Sequence, residues 1–240
     1  MNTAEYLAAL QRDGGAFIAS CEAAGLAAPV ASCPDWSVAD LCWHLAEVHR
    51  FWNNVVADQR QTWEGYEPPA RPSDDELPAF YREGLAATIA VLSAADPMQP
   101  NWTWSSDHTA GFVIRRMAQE TAVHRWDADD AAGAAVPIEA ALASDGIDEF
   151  LEHFLQAGSG SAPVGGSVHL HCTDVSGEWT VREGADGFEV SREHAKGDCA
   201  LRGPASDLLL ALWRRAPITS IDVVGDADVA ARFVALSTLD

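Results

Sequence analysis

Apolar side chains recur every three to four residues through the first 157 positions and every second residue beyond 167, and this change of period divides the chain. Tyr6, Leu7, Leu10, Phe17, Ile18 and Cys21 mark a first helix over 3–25, weakened in its middle by Gly14-Gly15 and stopped at Gly25. A loop containing Pro29 and Pro34 follows. Ser37-Val38-Ala39-Asp40 then has the form of a capping box, in which the serine accepts an orphan backbone N–H and the acid answers it three residues on. The helix it opens extends to residue 58, with Leu41, Leu45, Val48, Trp52 and Val55 as its apolar stripe. His44 and His49 flank that stripe on opposite sides, and periodicity does not say which faces inward. A Pro-rich, charged surface loop over 59–75 leads into a third helix over 73–94. Trp102-Thr103-Trp104 either folds over a groove or fills core; a fourth helix over 109–129 and a fifth over 138–157 complete the helical part.

Gly158 through Gly166 has the composition of a flexible linker and lacks the Lys-Ser/Thr ending of a phosphate-binding loop. Short alternating segments follow at 167–173, 178–182, 188–190, 199–202 and 221–224, with helices over 205–215, opened by Pro204, and 227–236. The expected organisation is therefore a mainly α domain over 1–157, a linker over 158–166 and a small α+β domain over 167–240.

The fourth helix carries the candidate chemistry. At about 100° per residue Glu120 and His124 lie only about 40° apart, on the side shared by Val113 and Met117 and opposite Arg115 and Gln119. A carboxylate and an imidazole stand where an amphipathic helix buries apolar groups. Leaving them buried and unpaired costs several kcal/mol, and a metal ion is a partner that suits both. The plainer alternative is a Glu–His pair at the helix edge, half in solvent. The same spacing recurs at Glu149 and His153, but there Ile147, Phe150, Leu151, Phe154 and Leu155 form the apolar face and the pair reads as solvated. His169 and His171 share one side of a strand and, with no third ligand nearby in sequence, read as its solvent face.

Composition narrows the picture further. Hydrophobic residues make up 48% of the 240, with no apolar run near the roughly 20 residues that span a bilayer. The start Met1-Asn2-Thr3-Ala4-Glu5 lacks a basic region followed by an apolar one, so a cytoplasmic protein without a signal peptide is expected. A formal charge of -21 argues against nucleic acid and anionic membranes as partners. The five cysteines are odd in number and form no C-x-x-C, and they read as buried reduced thiols. Cys42 and His44, about 200° apart on a helix, cannot share one ion.

Two stretches together carry a resemblance. Trp36-Ser37-Val38-Ala39-Asp40-Leu41-Cys42-Trp43-His44-Leu45 is similar to the W-(S/T)-x-x-(D/E)-L-x-x-H-(L/V) entry to the second helix of the mycothiol-dependent maleylpyruvate isomerase family, and Glu120-Thr121-Ala122-Val123-His124-Arg125-Trp126-Asp127 resembles that family's E-x-x-x-H metal helix. The resemblance spans nearly the whole chain. It implies a DinB-like four-helix bundle followed by a smaller α+β domain, and a zinc ion held by His44, Glu120 and His124 with a fourth position open, which selects His44 over His49. Three N/O ligands with a vacancy is the pattern of a catalytic zinc, although nickel or iron would tolerate the same set. Asp127 is placed to orient a ligand imidazole, or else is a solvated charge near a helix end. Further implied are mycothiol as the thiol cofactor, cis–trans isomerisation of a small unsaturated acid, and a basic residue near the anionic substrate. Trp213-Arg214-Arg215 resembles the family's tryptophan-to-arginine helix end and makes Arg215 the candidate, with Arg214 its neighbour; both also suit a helix C-terminus. The alternatives are a mycothiol S-transferase acting on electrophiles, a non-catalytic metal- and thiol-binding stress-response module, and a metal-dependent hydrolase that needs no thiol.

Overall fold

The computed structural model describes residues 1–155, 163–184 and 187–236. By its internal contacts the chain forms two compact units, Met1–Val136 and Pro137–Asp240.

The first unit is built on four helices, α1 (Thr3–Ala24), α2 (Val38–Ala57), α3 (Leu77–Ala94) and α4 (Ala110–Ala131). Helix α1 packs against α4 and α3, and α2 packs against α3 and α4, so the order around the bundle is α1, α3, α2, α4. Leu10, Phe17, Leu41, Leu45, Tyr81 and Met117 are among the side chains wholly withdrawn from solvent at its centre. The Ser37–Asp40 box is present as expected: the Ser37 hydroxyl accepts from the Asp40 N–H and the Asp40 carboxylate accepts from the Ser37 N–H. A matching box, Asn2 with Glu5, starts α1. The loop expected between α1 and α2 contains a small hairpin, β1 (Pro29–Val30) and β2 (Cys33–Ser37), too short to leave a periodic signal. Helix α3 starts at Leu77 rather than 73, because Ser73 to Glu76 form a turn closed by the Glu76 carboxylate, with Pro78 in the first helical turn. Trp102 stacks on Trp52 with ring centroids 6.0 Å apart, while Trp104 is partly exposed against Phe112.

The second unit holds α5 (Ala140–His153), β3 (Val168–Cys172), β4 (Glu178–Gly184), β5 (Gly187–Ser191), β6 (Cys199–Gly203), α6 (Ala205–Leu212), β7 (Asp222–Gly225) and α7 (Ala227–Ala235). The sheet order is β5-β4-β3-β6-β7, with β3 and β6 parallel and the other neighbours antiparallel. Helix α5, grouped with the helical half by its period, packs against α6: Phe150 and Phe154 lie 5.1 and 4.9 Å from the Trp213 ring. Period reports that a face is apolar and not what covers it. The expected linker over 158–166 falls outside the described residues as far as 162; beyond them, the N–H groups of Val164 and Gly165 donate to the Glu183 carboxylate. Among the described residues no helix is long and apolar enough to cross a membrane.

Candidate metal centre

The packing of α2 on α4 brings His44 opposite Glu120 and His124. His44 Nε2 and His124 Nε2 each lie 3.2 Å from Glu120 Oε1, and one ligand atom from each of the three residues falls within 4.8 Å of the others. Four bonds of about 2.0–2.1 Å to a tetrahedral zinc place neighbouring ligand atoms about 3.4 Å apart. Donor chemistry and spacing both fit a divalent cation. Side-chain exposure falls from 34% at His44 to 20% at Glu120 and 8% at His124, so the group is sealed on the α4 side and open on the α2 side.

Around these three, further residues fix their orientation. Asp127 is fully buried, not a solvated charge: its Oδ2 lies 2.8 Å from His124 Nδ1, and its Oδ1 accepts from the Ser32 hydroxyl at 2.6 Å. With Nδ1–H donated to Asp127, it is Nε2 of His124 that faces Glu120. Ser32 comes from the turn between β1 and β2, so the hairpin braces the His124 imidazole through one carboxylate. Arg116, one turn before Glu120, pairs with Oε2 and leaves Oε1 to the two histidines. The Trp36 ring packs 4.9 Å from that of His44. Sequence reasoning assigned no role to Ser32 or Arg116. Arg116 was reachable from its i, i+4 spacing to Glu120, whereas the Ser32–Asp127 contact spans 95 positions and leaves no local signal.

Without metal the group is a charge network. Burial opposes ionisation of Glu120, but Arg116 and the histidines outweigh it and hold its carboxyl well below the usual range. Burial likewise opposes a charged His124, yet Glu120 and Asp127 raise it to about 9. His49 takes no part. It is completely buried, its Nε2 lies 2.8 Å from Thr121 Oγ1, and burial depresses it to about 4, so it stays neutral.

Helix α4 is also not amphipathic in the expected sense. Gln119, Arg116 and Arg125 are buried along with Met117, and the arginines are paired, Arg116 with Glu120 and Arg125 with Asp129 at 2.6 Å and with the Val136 carbonyl at 2.8 Å. The Glu149–His153 pair is not on a solvated face either: Glu149 is buried and the His153 side chain nearly so, because α5 is covered round most of its circumference. Arg215 lies just beyond α6, its guanidinium donating to the Trp213 carbonyl at 3.0 Å and lying 5.8 Å from the Trp213 ring centroid; Arg214 occupies the left-handed region at φ 56° and is exposed.

None of the five cysteines is in a disulfide. The Cys21 thiol is raised by its hydrogen bond with Cys42 and by burial, and burial pushes Cys172 to about 12 and Cys199 to about 11. These three remain protonated at neutral pH.

His169 and His171 depart from the solvent-face reading. Glu178, opposite His171 in the β3–β4 register, and His194, in the segment between β5 and β6, join them, with one ligand atom from each of the four within 4.8 Å of the others.

Residues 7–129 match the family model described as the mycothiol maleylpyruvate isomerase N-terminal domain, and residues 141–232 match the corresponding C-terminal domain model. No curated protein matches the chain. A crystal structure of the mycothiol-dependent maleylpyruvate isomerase is similar at a TM-score of 0.61 and 12% identity, over 88% of each chain. A histidine-to-alanine mutant of that isomerase gives the same TM-score and identity over 99% of this chain and 92% of its own. At that identity the likeness speaks for the fold.

Proposed function

The chain belongs to the mycothiol maleylpyruvate isomerase family of enzymes, and from that premise we propose that it uses mycothiol and a zinc ion held by His44, Glu120 and His124 to isomerise maleylpyruvate or a closely related cis-unsaturated acid. A cation bound there supplies Lewis acidity that keeps a thiol as its thiolate at neutral pH. Every other part of the work falls to the protein. Asp127 fixes the His124 tautomer, Ser32 holds Asp127, and Arg116 leaves Glu120 one free oxygen. Mycothiol bound there would supply a thiolate for reversible addition to the cis double bond, the displaced π pair passing to the conjugated carbonyl oxygen. Loss of the same thiolate after bond rotation would give the trans acid with no net consumption of thiol. Cys21, Cys172 and Cys199 are held protonated, so none of these three supplies the nucleophile.

The observation that carries this reading is the convergence of two imidazole Nε2 atoms on one carboxylate oxygen at 3.2 Å, with the second nitrogen of His124 held by a buried aspartate. Arg215 is proposed to bind a substrate carboxylate. This role rests on the resemblance of the helix end that precedes it, and Arg215→Lys is expected to raise KM more than it lowers kcat.

The test is metal content of wild type beside His124→Ala, followed by turnover of maleylpyruvate with and without mycothiol. One zinc lost in the variant, with thiol-dependent and thiol-conserving turnover, supports the isomerase. Stoichiometric consumption of thiol by electrophiles would instead identify a transferase. A wild type that neither contains nor takes up zinc would overturn the proposal.

A further inference from the structure

The second group of ligand atoms has no part in the function proposed above. His169 and His171 lie two apart on β3 and project from the same face of the sheet. Glu178 is cross-strand partner to His171 on β4, and its carboxylate reaches His171 Nδ1 and, at 3.1 Å, His194 Nδ1. The His169 and His194 rings meet edge to face with centroids 5.2 Å apart. One carboxylate between two imidazoles could be an ordinary hydrogen-bonded cluster. What that account leaves over is His169: it is buried, and its Nε2 has no hydrogen-bond partner. Buried polar atoms are almost always satisfied, and an orphan beside three further metal-ligating side chains is what a missing ion leaves behind.

We propose that His169, His171, Glu178 and His194 bind a divalent transition-metal ion of the zinc class, at a site separate from the one formed by His44, Glu120 and His124. Three imidazoles and a carboxylate suit zinc, nickel or copper and are poor ligands for magnesium or calcium, which prefer all-oxygen sets. The 3.1–3.2 Å between His194 Nδ1 and the Glu178 oxygens is close to the ligand–ligand spacing of about 3.4 Å in a tetrahedral site. Four protein ligands fill such a site, so its role is structural. It ties the segment joining β5 to β6 onto the face of the sheet that carries His169, His171 and Glu178 on β3 and β4, beside a cavity of about 350 Å³ lined by Glu178, His194, Arg192 and Asp148.

The test is zinc titration of the full-length metal-free protein, with retained zinc counted after dialysis, in wild type, His124→Ala, His194→Ala and the double variant. His194 is largely exposed, so its replacement leaves the fold intact, which far-UV circular dichroism checks. Expected is a second retained equivalent in wild type that survives His124→Ala and is lost in His194→Ala and in His169→Gln. Amide exchange of residues 192–198 should slow on zinc addition in His124→Ala and not in the double variant. Retention unchanged by His194→Ala, or zinc that washes out of His124→Ala on dialysis, would overturn the inference. Failure of the first site would show separately, as wild type and His124→Ala retaining equal zinc.

Discussion

Asp127 is the residue on which the geometry of His124 depends, since it takes the Nδ1 proton and is itself held by Ser32. Replacing it with Asn keeps the shape and removes the charge that would strengthen the imidazole as a ligand in the proposed metal site. Loss of such a partner usually weakens metal affinity by about 10–100-fold, and Asp127→Asn is expected to do so in a chelator-competition titration while kcat/KM falls with it. The proton on His124 makes a second prediction. With its metal-free value raised to about 9 against an ordinary 6.5, the ring is protonated at neutral pH and must lose that proton to bind metal. Zinc uptake near neutral pH should release about one proton, read from binding heats in buffers of different ionisation enthalpy, and affinity should climb until the pH passes about 9. The same shift stabilises the metal-free protein. Because the folded value lies above the unfolded one, that contribution is complete below 6.5 and disappears as the pH rises through about 9. Urea midpoints of metal-free wild type should fall across that window, and those of Asp127→Asn should fall less.

Among the elements, α1 shows why two adjacent glycines are not equivalent. A Cβ on Gly14 would lie 2.7–2.8 Å from the Leu85 methyls of α3, whereas Gly15 faces open solvent. Gly14 is required by the close approach of α1 and α3; Gly15 only weakens its helix. Gly15→Ala should raise stability by about 0.5–1 kcal/mol, and Gly14→Ala should lower it because Leu85 is buried and has little room to move. Thermal melts of the two variants should shift in opposite directions. Element ends were readable where their chemistry is local: Ser37 and Asp40 sit three residues apart and make the expected box. The orientation of α2 was not. His44 and His49 flank one stripe symmetrically, and the crossing with α4 alone sends His44 to Glu120 and His49 to Thr121.

At the scale of the whole molecule, a formal charge of -21 means that the folded chain repels itself. Monovalent salt screens that repulsion within a Debye length of about 10 Å at 0.1 M, so raising ionic strength from low values should raise Tm. A melting temperature that fell with added sodium chloride would contradict this. The change from a helical to a two-residue period predicted a mainly helical part before an α+β part. It misassigned α5, whose apolar face is closed by Trp213.

By itself the sequence determined what depends on neighbours a few positions apart: the helices of the bundle, the alternation of β3, the Ser37 cap, and the alignment of Glu120 with His124 on one face of α4. Its motifs also carried the family. Only the tertiary structure decided what depends on contacts between distant segments. Periodicity left the two histidines of α2 equivalent and only the family motif favoured His44; the packing of α2 on α4 brings His44 to Glu120, and the fold buries Asp127 against Ser32 and pairs Glu120 with Arg116. The fold also gathered Glu178 and His194 around two strand histidines that read as solvent-facing. Periodicity fixes the direction of a side chain relative to its own element, whereas the partner it meets there is set by how elements cross and by the register of strands.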